Sequence, residues 1–475
     1  MPTVSYSRRC RERSISAVKH HGGCHTWRRR LVRWVSTTEE SDAVSETRTE
    51  RRRDVIVVGG GLAGLVAACT AARAGADVLL VEGRDLGGRA RTDRRQGFTF
   101  NRGPRALYVD GQAAPVLADL GVRTDRGGAP DTSAARGLRG GQLHVVPQGP
   151  MSLLRTTLVS ARQKPTVAAV TARIPRLDPE RFAGLTADQA IDRLRLPAAG
   201  ADLLRALVRL TTYAAATDEL DGVAAIRQLQ LGLTTGVRYL DGGWQTLVDD
   251  LARRATELGV EVRRDTAVQA LAPSADGNVE VRTSSGDLLA GTAVVATGTP
   301  AAATALLGRP VAESGRLGPP ALAACLELGL RRPPAVPFVI GIDEPVYLST
   351  HCPPADLAPE GGAVVHVMRY LRSDDADRSD EVRSALRALA ARAGIAPGDV
   401  VEERFLARMT VTGALPTAAT GGLAGRPPVE DPTRPGVLLA GDWVGPDGLL
   451  ADAAASSAAT AGRLAAARGA RLAVA

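Results

Sequence analysis

The residues best placed to do chemistry in this 475-residue chain are glycines. Gly59, Gly61 and Gly64 stand as G-x-G-x-x-G directly after the apolar run 55–58 and at the head of an apolar helical stretch. In that setting the first glycine permits a tight turn, the second lets the backbone approach a pyrophosphate, and the third lets helix and strand pack closely. Leu62 and Ala63 lie within the motif, where the helix N-terminus offers unpaired N–H groups and partial positive charge to phosphate oxygens. Glu82, eighteen residues beyond Gly64, ends the next apolar strand and is placed to accept hydrogen bonds from a ribose 2′-hydroxyl. Strand, glycines, helix and acid in this order predict a dinucleotide site; a glycine-rich turn buried without a nucleotide is the plainer alternative. The motif does not choose between NAD and FAD, which share the AMP and pyrophosphate halves.

Other reactive residue types offer less. Five cysteines (Cys10, Cys24, Cys69, Cys325, Cys352) are too few and scattered for a disulfide framework, and none forms Cys-x-x-Cys. This predicts a reducing, cytoplasmic compartment and no metal site. His351 beside Cys352 suggests a nucleophile and base, but neighbours on a strand point to opposite faces, and Pro353 and Pro354 place them at a strand end. His144 and His366 stand alone among apolar neighbours and read as core or edge histidines. Of 59 Lys and Arg, only Lys19 and Lys164 are lysine, and Lys164, between Arg162 and Pro165, reads as a solvated surface residue.

The surrounding residues supply elements to carry these groups. A strand over 55–58, a turn over 59–64, a helix over 65–74 stopped by Gly75 and a strand over 78–82 make a βαβ opening. An amphipathic helix over 244–258, ended by Gly259, leads into a strand over 260–262, and 279–283 with 288–296 resemble a hairpin feeding a central strand. From about 150 to 235 the periodicity is helical, as over 186–196, which Thr186 caps, and 202–210. Residues 319–372 alternate instead, predicting strands over 322–330, 336–342, 346–350 and 363–371. A helix over 380–393, a strand over 436–440 and an alanine-rich helix from about Leu450 follow.

The length exceeds what one core usually serves. With 44% apolar and 23% charged residues, wholesale disorder is excluded. The formal charge of +8 is misleading: residues 1–53 carry 13 basic and 6 acidic groups, leaving 46 against 45 for the rest. A neutral body argues against nucleic acid as partner. Residues 1–53 read as a disordered basic arm, a targeting peptide or a leader upstream of the natural start, with no stable fold and no secretory signal. The apolar run 55–72 approaches membrane-spanning length, but its glycines and the bracketing Asp54 and Arg73 favour strand, turn and helix.

Three further segments carry a family resemblance. Gly87-Gly88-Arg89-Ala90-Arg91-Thr92 follows Glu82; Gly-Val-Leu-Leu-Ala-Gly-Asp over 436–442 precedes Trp443 and Gly448-Leu449-Leu450-Ala451-Asp452-Ala453; Asp241-Gly242-Gly243-Trp244 precedes Gly259 and Val268. Together these resemble the amine oxidase, protoporphyrinogen oxidase and phytoene desaturase superfamily of flavoproteins, nearest the phytoene dehydrogenase-related branch. The resemblance implies FAD, with Gly87, Gly88 and Arg89 passing the pyrophosphate, the Val268 backbone meeting adenine, and Gly441-Asp442 meeting the ribityl and phosphate region. It further implies that the helix at Leu449 and Leu450 points its N-terminus at the flavin pyrimidine edge, where reduction places negative charge, and that Asn101-Arg102-Gly103-Pro104 lies near the ring.

The expected fold is α/β: a Rossmann-like FAD-binding domain in three parts (54–125, 236–310, 416–475) interrupted by a discontinuous α+β substrate domain, helical over 126–235 and sheet over 311–415. No second G-x-G-x-x-G follows another strand, so electrons are expected to come from an organic substrate and leave to oxygen, a quinone or another acceptor. Amine oxidases of the family use a lysine near the flavin and an aromatic pair; here the late aromatic position falls near the aliphatic Leu449, though Trp443 keeps that activity in play. Aliphatic lining suits hydride transfer from an apolar substrate to flavin N5, with no catalytic base assigned. Amine oxidase and protoporphyrinogen-type oxidase are the alternatives, and a prenyl-binding escort protein of the same fold is the non-enzymatic one. An apolar substrate also leaves room for peripheral membrane contact. Oligomeric state is not legible.

Overall fold

Apolar runs punctuated by glycine and proline give this chain two large sheets. The computed structural model describes residues 51–472 except 275–276, 314, 377 and 431–432, so the arm expected over 1–53 lies, up to residue 50, outside the described residues. The first sheet is built on Arg53–Val58. Its apolar run does not alternate because both faces are covered, as a central parallel strand requires. Val55 and Val57 enter the core under the helices Leu62–Arg73 and Leu450–Leu472, while Ile56 and Val58 pack on the opposite face with Val295, Leu439 and Trp443.

Val78–Val81 and Gly286–Ala296 flank that strand, and Glu261–Arg263 and Val437–Ala440 extend the sheet outward, every pairing parallel. Numbered along the chain, these five strands stand in the order 3-2-1-4-5. This is the doubly wound arrangement, whose ligand crevice opens outside the carboxyl ends where the order reverses, here between Val58 and Ala296. Val279–Thr283 pairs antiparallel with the first half of Gly286–Ala296, and Val268–Pro273 pairs antiparallel with Val279–Thr283 in turn.

The second sheet runs Val400–Thr412, Ala321–Leu330, Ala363–Leu371, Val346–Cys352, Phe338–Gly341, Arg136–Arg139, Gln142–Val145. Its pairings are antiparallel except that of Phe338–Gly341 with Arg136–Arg139. Helix Ser379–Arg392 covers one face through Leu386, Leu389 and Ala390, and helix Ala198–Thr212 covers the other through Leu203 and Ala206.

Three departures from the sequence reading have physical causes. The first helix begins at Leu62, three residues earlier than expected, because Gly61 is the N-cap and Gly64 already belongs to the first turn. The stretch read as helical from about 150 is helical, but its predicted block also holds the hairpin Arg136–Arg139 and Gln142–Val145, whose place is set by Phe338–Gly341 rather than by alternation. Strand Val400–Thr412 was not anticipated: its charged run Glu402, Glu403, Arg404 masks a strand that pairs along the whole of Ala321–Leu330. Among the described residues no helix is long and apolar enough to cross a membrane, and 55–72 forms strand, turn and helix.

Candidate functional site

The three motif glycines meet different constraints. Gly59 leaves its strand at φ +106, and a Cβ there would stand 2.5 Å from the Ala296 carbonyl oxygen. At Gly64 a Cβ would lie 1.7 Å from the Gly59 carbonyl oxygen, so the close contact of helix and turn depends on a bare Cα. Gly61 faces room: the nearest heavy atom to an added Cβ is the Gly87 carbonyl oxygen at 4.0 Å. That open border beside the N-terminus of Leu62–Arg73, where Leu62 and Ala63 sit, fits a pyrophosphate. Glu82 flanks the turn, its Oε2 accepting the Gly60 N–H at 2.7 Å and its Oε1 the Arg84 N–H at 2.9 Å. Each carboxylate oxygen keeps a further lone pair for a ribose hydroxyl.

Gly87 donates its N–H to the Gly60 carbonyl at 2.7 Å, folding the 87–92 loop back on the turn, and a Cβ on Gly88 would come 3.5 Å from the Gly61 Cα. Arg89 then reaches across: its Nη1 donates to Asp442 at 2.7 Å and to the Val411 carbonyl at 2.8 Å. Asp442 is 3% exposed and also accepts the Gly413 N–H at 3.3 Å. Desolvation opposes the Arg89 charge, but Asp442 outweighs it and the guanidinium is held charged. The resemblance implies Arg89 on the pyrophosphate and Asp442 on the ribityl region; in the structure they hold each other, with a third of the Arg89 side chain uncovered. Segments from 59, 89 and 442 therefore converge at one crevice.

The other expected residues occupy its flanks. Val268 opens a strand beside Ala267, against which Gly83 packs, and Thr266 donates to the Glu82 carbonyl at 3.0 Å. Gly103 and Pro104 are buried and attached to the second sheet: the Gly103 N–H donates to Glu327 at 2.6 Å. Leu449 is 3% exposed and packs with Leu423 and Ala224, and Leu450 starts the terminal helix at φ +57.

Sequence reasoning missed several groups here. Arg105 is partly uncovered, yet burial, then the charge of Arg89, pulls its guanidinium down to about 10. It donates Nε to the Asn101 carbonyl at 3.1 Å, lies over the Trp244 ring at 5.7 Å and feels Tyr213, Glu327 and Asp442. Five of the six tyrosines (Tyr108, Tyr213, Tyr239, Tyr347, Tyr370) lie in the interior, all pushed up by burial and therefore neutral phenols. In a chain rich in arginine and poor in aromatics, the tyrosine spacing was the available signal, and it crosses too many elements to read.

His366 needs correction. It does not stand alone: its Nδ1 is 3.4 Å from Glu327 Oε1 and 3.9 Å from Cys325 Sγ, all three buried. Such a trio could hold a metal, but Glu327 is already committed to the Gly103 N–H, His366 and Arg404. Desolvation of Glu327 is outweighed by His366 and Arg404, so its carboxyl lies below the usual range. His351 stacks on Tyr239 with centroids 3.7 Å apart, while Cys352 faces the Gly362 carbonyl, so the two do not pair. Burial holds His351 far below its ordinary range.

A doubly wound sheet with a glycine turn at its switch point, an acid ending the second strand and a late Gly-Asp beside that turn defines an FAD-dependent oxidoreductase. The chain belongs to the family of flavin containing amine oxidoreductases, which it matches over residues 62–467. It is similar to the carotenoid 3,4-desaturase of Haloarcula japonica, 58% identical over 52 residues, covering 11% of this chain and 10% of that protein. It is also similar to the phytoene desaturase of Neurospora crassa, 35% identical over 80 residues, 16% of this chain and 13% of the other. The chain thus spans only about a tenth to an eighth of the curated relatives it matches. The crystal structure of an oxidoreductase from Methanosarcina mazei superposes with a TM-score of 0.68 at 17% identity, over 86% of this chain and 99% of that one.

Proposed function

We propose that the protein dehydrogenates an apolar organic substrate in the manner of a carotenoid desaturase. The observation that carries this reading is the side-chain chemistry at the head of the terminal helix. Leu449, Leu423 and Ala224 form one apolar group with Leu450 against it. Neither candidate amine-handling residue stands there. Lys164 donates its Nζ to the Leu154 carbonyl in an exposed bond, and Trp443 is wholly buried with its Nε1 on the Thr297 carbonyl. When bound, FAD supplies an N5 that accepts hydride from a substrate C–H. Loss of a proton from the adjacent carbon to bulk solvent completes the new double bond. The chain's residues orient the substrate and exclude water. The similarity to two desaturases supports the same substrate class. Electrons leave to oxygen, a quinone or another acceptor. Apolar substrates reside in membranes, and Met151 and Leu154, 59% and 68% exposed on helix Pro150–Arg155, support peripheral contact.

One observation favours a second reading. Arg105 is a desolvated cation without an ion pair among the described residues, and it suits a substrate bearing a carboxylate, as in porphyrinogen oxidation. Anaerobic mixing separates the two: a C40 polyene precursor in detergent bleaches the flavin absorbance under the first reading, and a carboxylated porphyrinogen does so under the second. Bleaching by simple primary amines and by neither of these would overturn both.

A further inference from the structure

We propose that Arg426, beside the N-terminus of the helix Leu450–Leu472, is the cation that faces the pyrimidine edge of the flavin and stabilises the negative charge that reduction places on it. This rests on the FAD reading and adds a tuning residue to it. Arg426 is 8% exposed. Its Nη1 donates to the Gly448 carbonyl at 2.9 Å, two residues before the helix begins, and its Nε and Nη2 are buried without a protein partner. The two carboxylates whose charge acts on it are committed elsewhere: Asp221 accepts the Ala224 N–H at 2.9 Å and Asp442 holds Arg89. Leaving guanidinium N–H groups unmet in the interior is costly, and an acceptor that becomes anionic relieves it. Burial pulls this guanidinium down to about 10, so it stays charged at neutral pH.

The position of this cation follows from helix geometry. A Cβ on Gly462 would meet the Ala67 carbonyl and Thr70, and one on Gly469 would meet Asp54, so the terminal helix runs alongside Leu62–Arg73 in the same direction. Twelve residues separate Leu450 from Gly462, against five to eight from Leu62 to Ala67 and Thr70. At 1.5 Å per residue the terminal helix begins about 6–10 Å farther out than the helix at the glycine turn. Ser457, whose hydroxyl bonds both the N–H and the carbonyl of Gly441, agrees: the helix starts seven residues, roughly 10 Å, beyond the strand end. Two helix N-termini thus face one crevice at different heights, offset by about the reach of a five-carbon ribityl chain. The lower suits the pyrophosphate; the upper, with Arg426, suits the ring.

Inorganic sulfite tests this. Its sulfur lone pair forms a bond to flavin N5 and drives an electron pair into the ring, leaving negative charge at the N1–C2 carbonyl edge, with no other reactant consumed. The wild-type holoprotein is expected to bleach on sulfite titration. Arg426→Gln should raise the sulfite dissociation constant at least about tenfold, with the flavin midpoint potential lower by about 30 mV for each tenfold loss in a two-electron couple. Arg426→Lys, which keeps the charge, should stay within about threefold. A yellow wild-type protein that binds no sulfite, or an Arg426→Gln protein titrating like wild type, overturns this role of Arg426 and leaves the FAD reading intact. A folded wild-type protein that takes up no FAD overturns both. If Arg426→Gln does not fold, the wild-type titration decides.

Discussion

One methyl group separates two kinds of glycine at the turn. Gly64→Ala places a Cβ on the Gly59 carbonyl, so the variant should lose the folded state or most of its stability, seen as a collapsed thermal transition. Gly61→Val meets open space; it should fold, with unchanged far-UV circular dichroism, and purify without yellow colour. A coloured Gly61→Val protein would place the pyrophosphate elsewhere. The Arg89–Asp442 pair makes a second case. Asp442→Asn leaves a guanidinium partly desolvated, and we expect a loss of about 1–3 kcal/mol, discounted because Arg89 keeps a third of its surface. In a urea-denaturation cycle Arg89→Met with Asp442→Asn should cost less than the sum of the singles. Both residues were legible in the sequence through their motifs, but their pairing was not, because 353 residues separate them. Arg105 and Arg426 were hidden by abundance: against so many arginines, a buried unpaired one has no sequence signature.

Elements carry their own chemistry where they meet. Asp452, in the first turn of the terminal helix, accepts the Ala113 N–H at 2.8 Å, and burial raises its pKa to about 6 against that opposing bond. The folded chain therefore holds this proton more tightly than the unfolded one, so stability is full below about pH 4 and is lost as pH rises toward 6. Asp452→Asn keeps the acceptor and removes the charge. It should gain about 3 kcal/mol in urea denaturation at pH 8 and almost nothing at pH 4; equal gains at both would contradict this origin. Glu327 joins the strand Ala321–Leu330 to the Gly103 loop, and Glu327→Gln, which leaves Arg404 with Asp93 as its remaining ionic partner, should cost about 1–3 kcal/mol by the same measurement. Elements whose pattern reflects burial on both faces, such as Arg53–Val58, were readable from their own residues. Val400–Thr412 and the 136–145 hairpin were not, because each is a strand only by virtue of a neighbour distant in sequence.

At the scale of the molecule, both sheets converge on the crevice. Val411 and Gly413, at the end of a second-sheet strand, bind Arg89 and Asp442, while the Gly103 loop ties the 98–105 segment to Glu327. The strand order 3-2-1-4-5 sets where that crevice opens, and no local reading of 437–440 or 261–263 contained it. A ligand bridging such parts stabilises the native state by mass action. The most direct test of the account is to denature the purified protein and identify and quantify what it releases. The account predicts FAD, about one per chain; a folded preparation that releases no flavin, cannot be reconstituted with FAD, or yields a nicotinamide dinucleotide instead would contradict it.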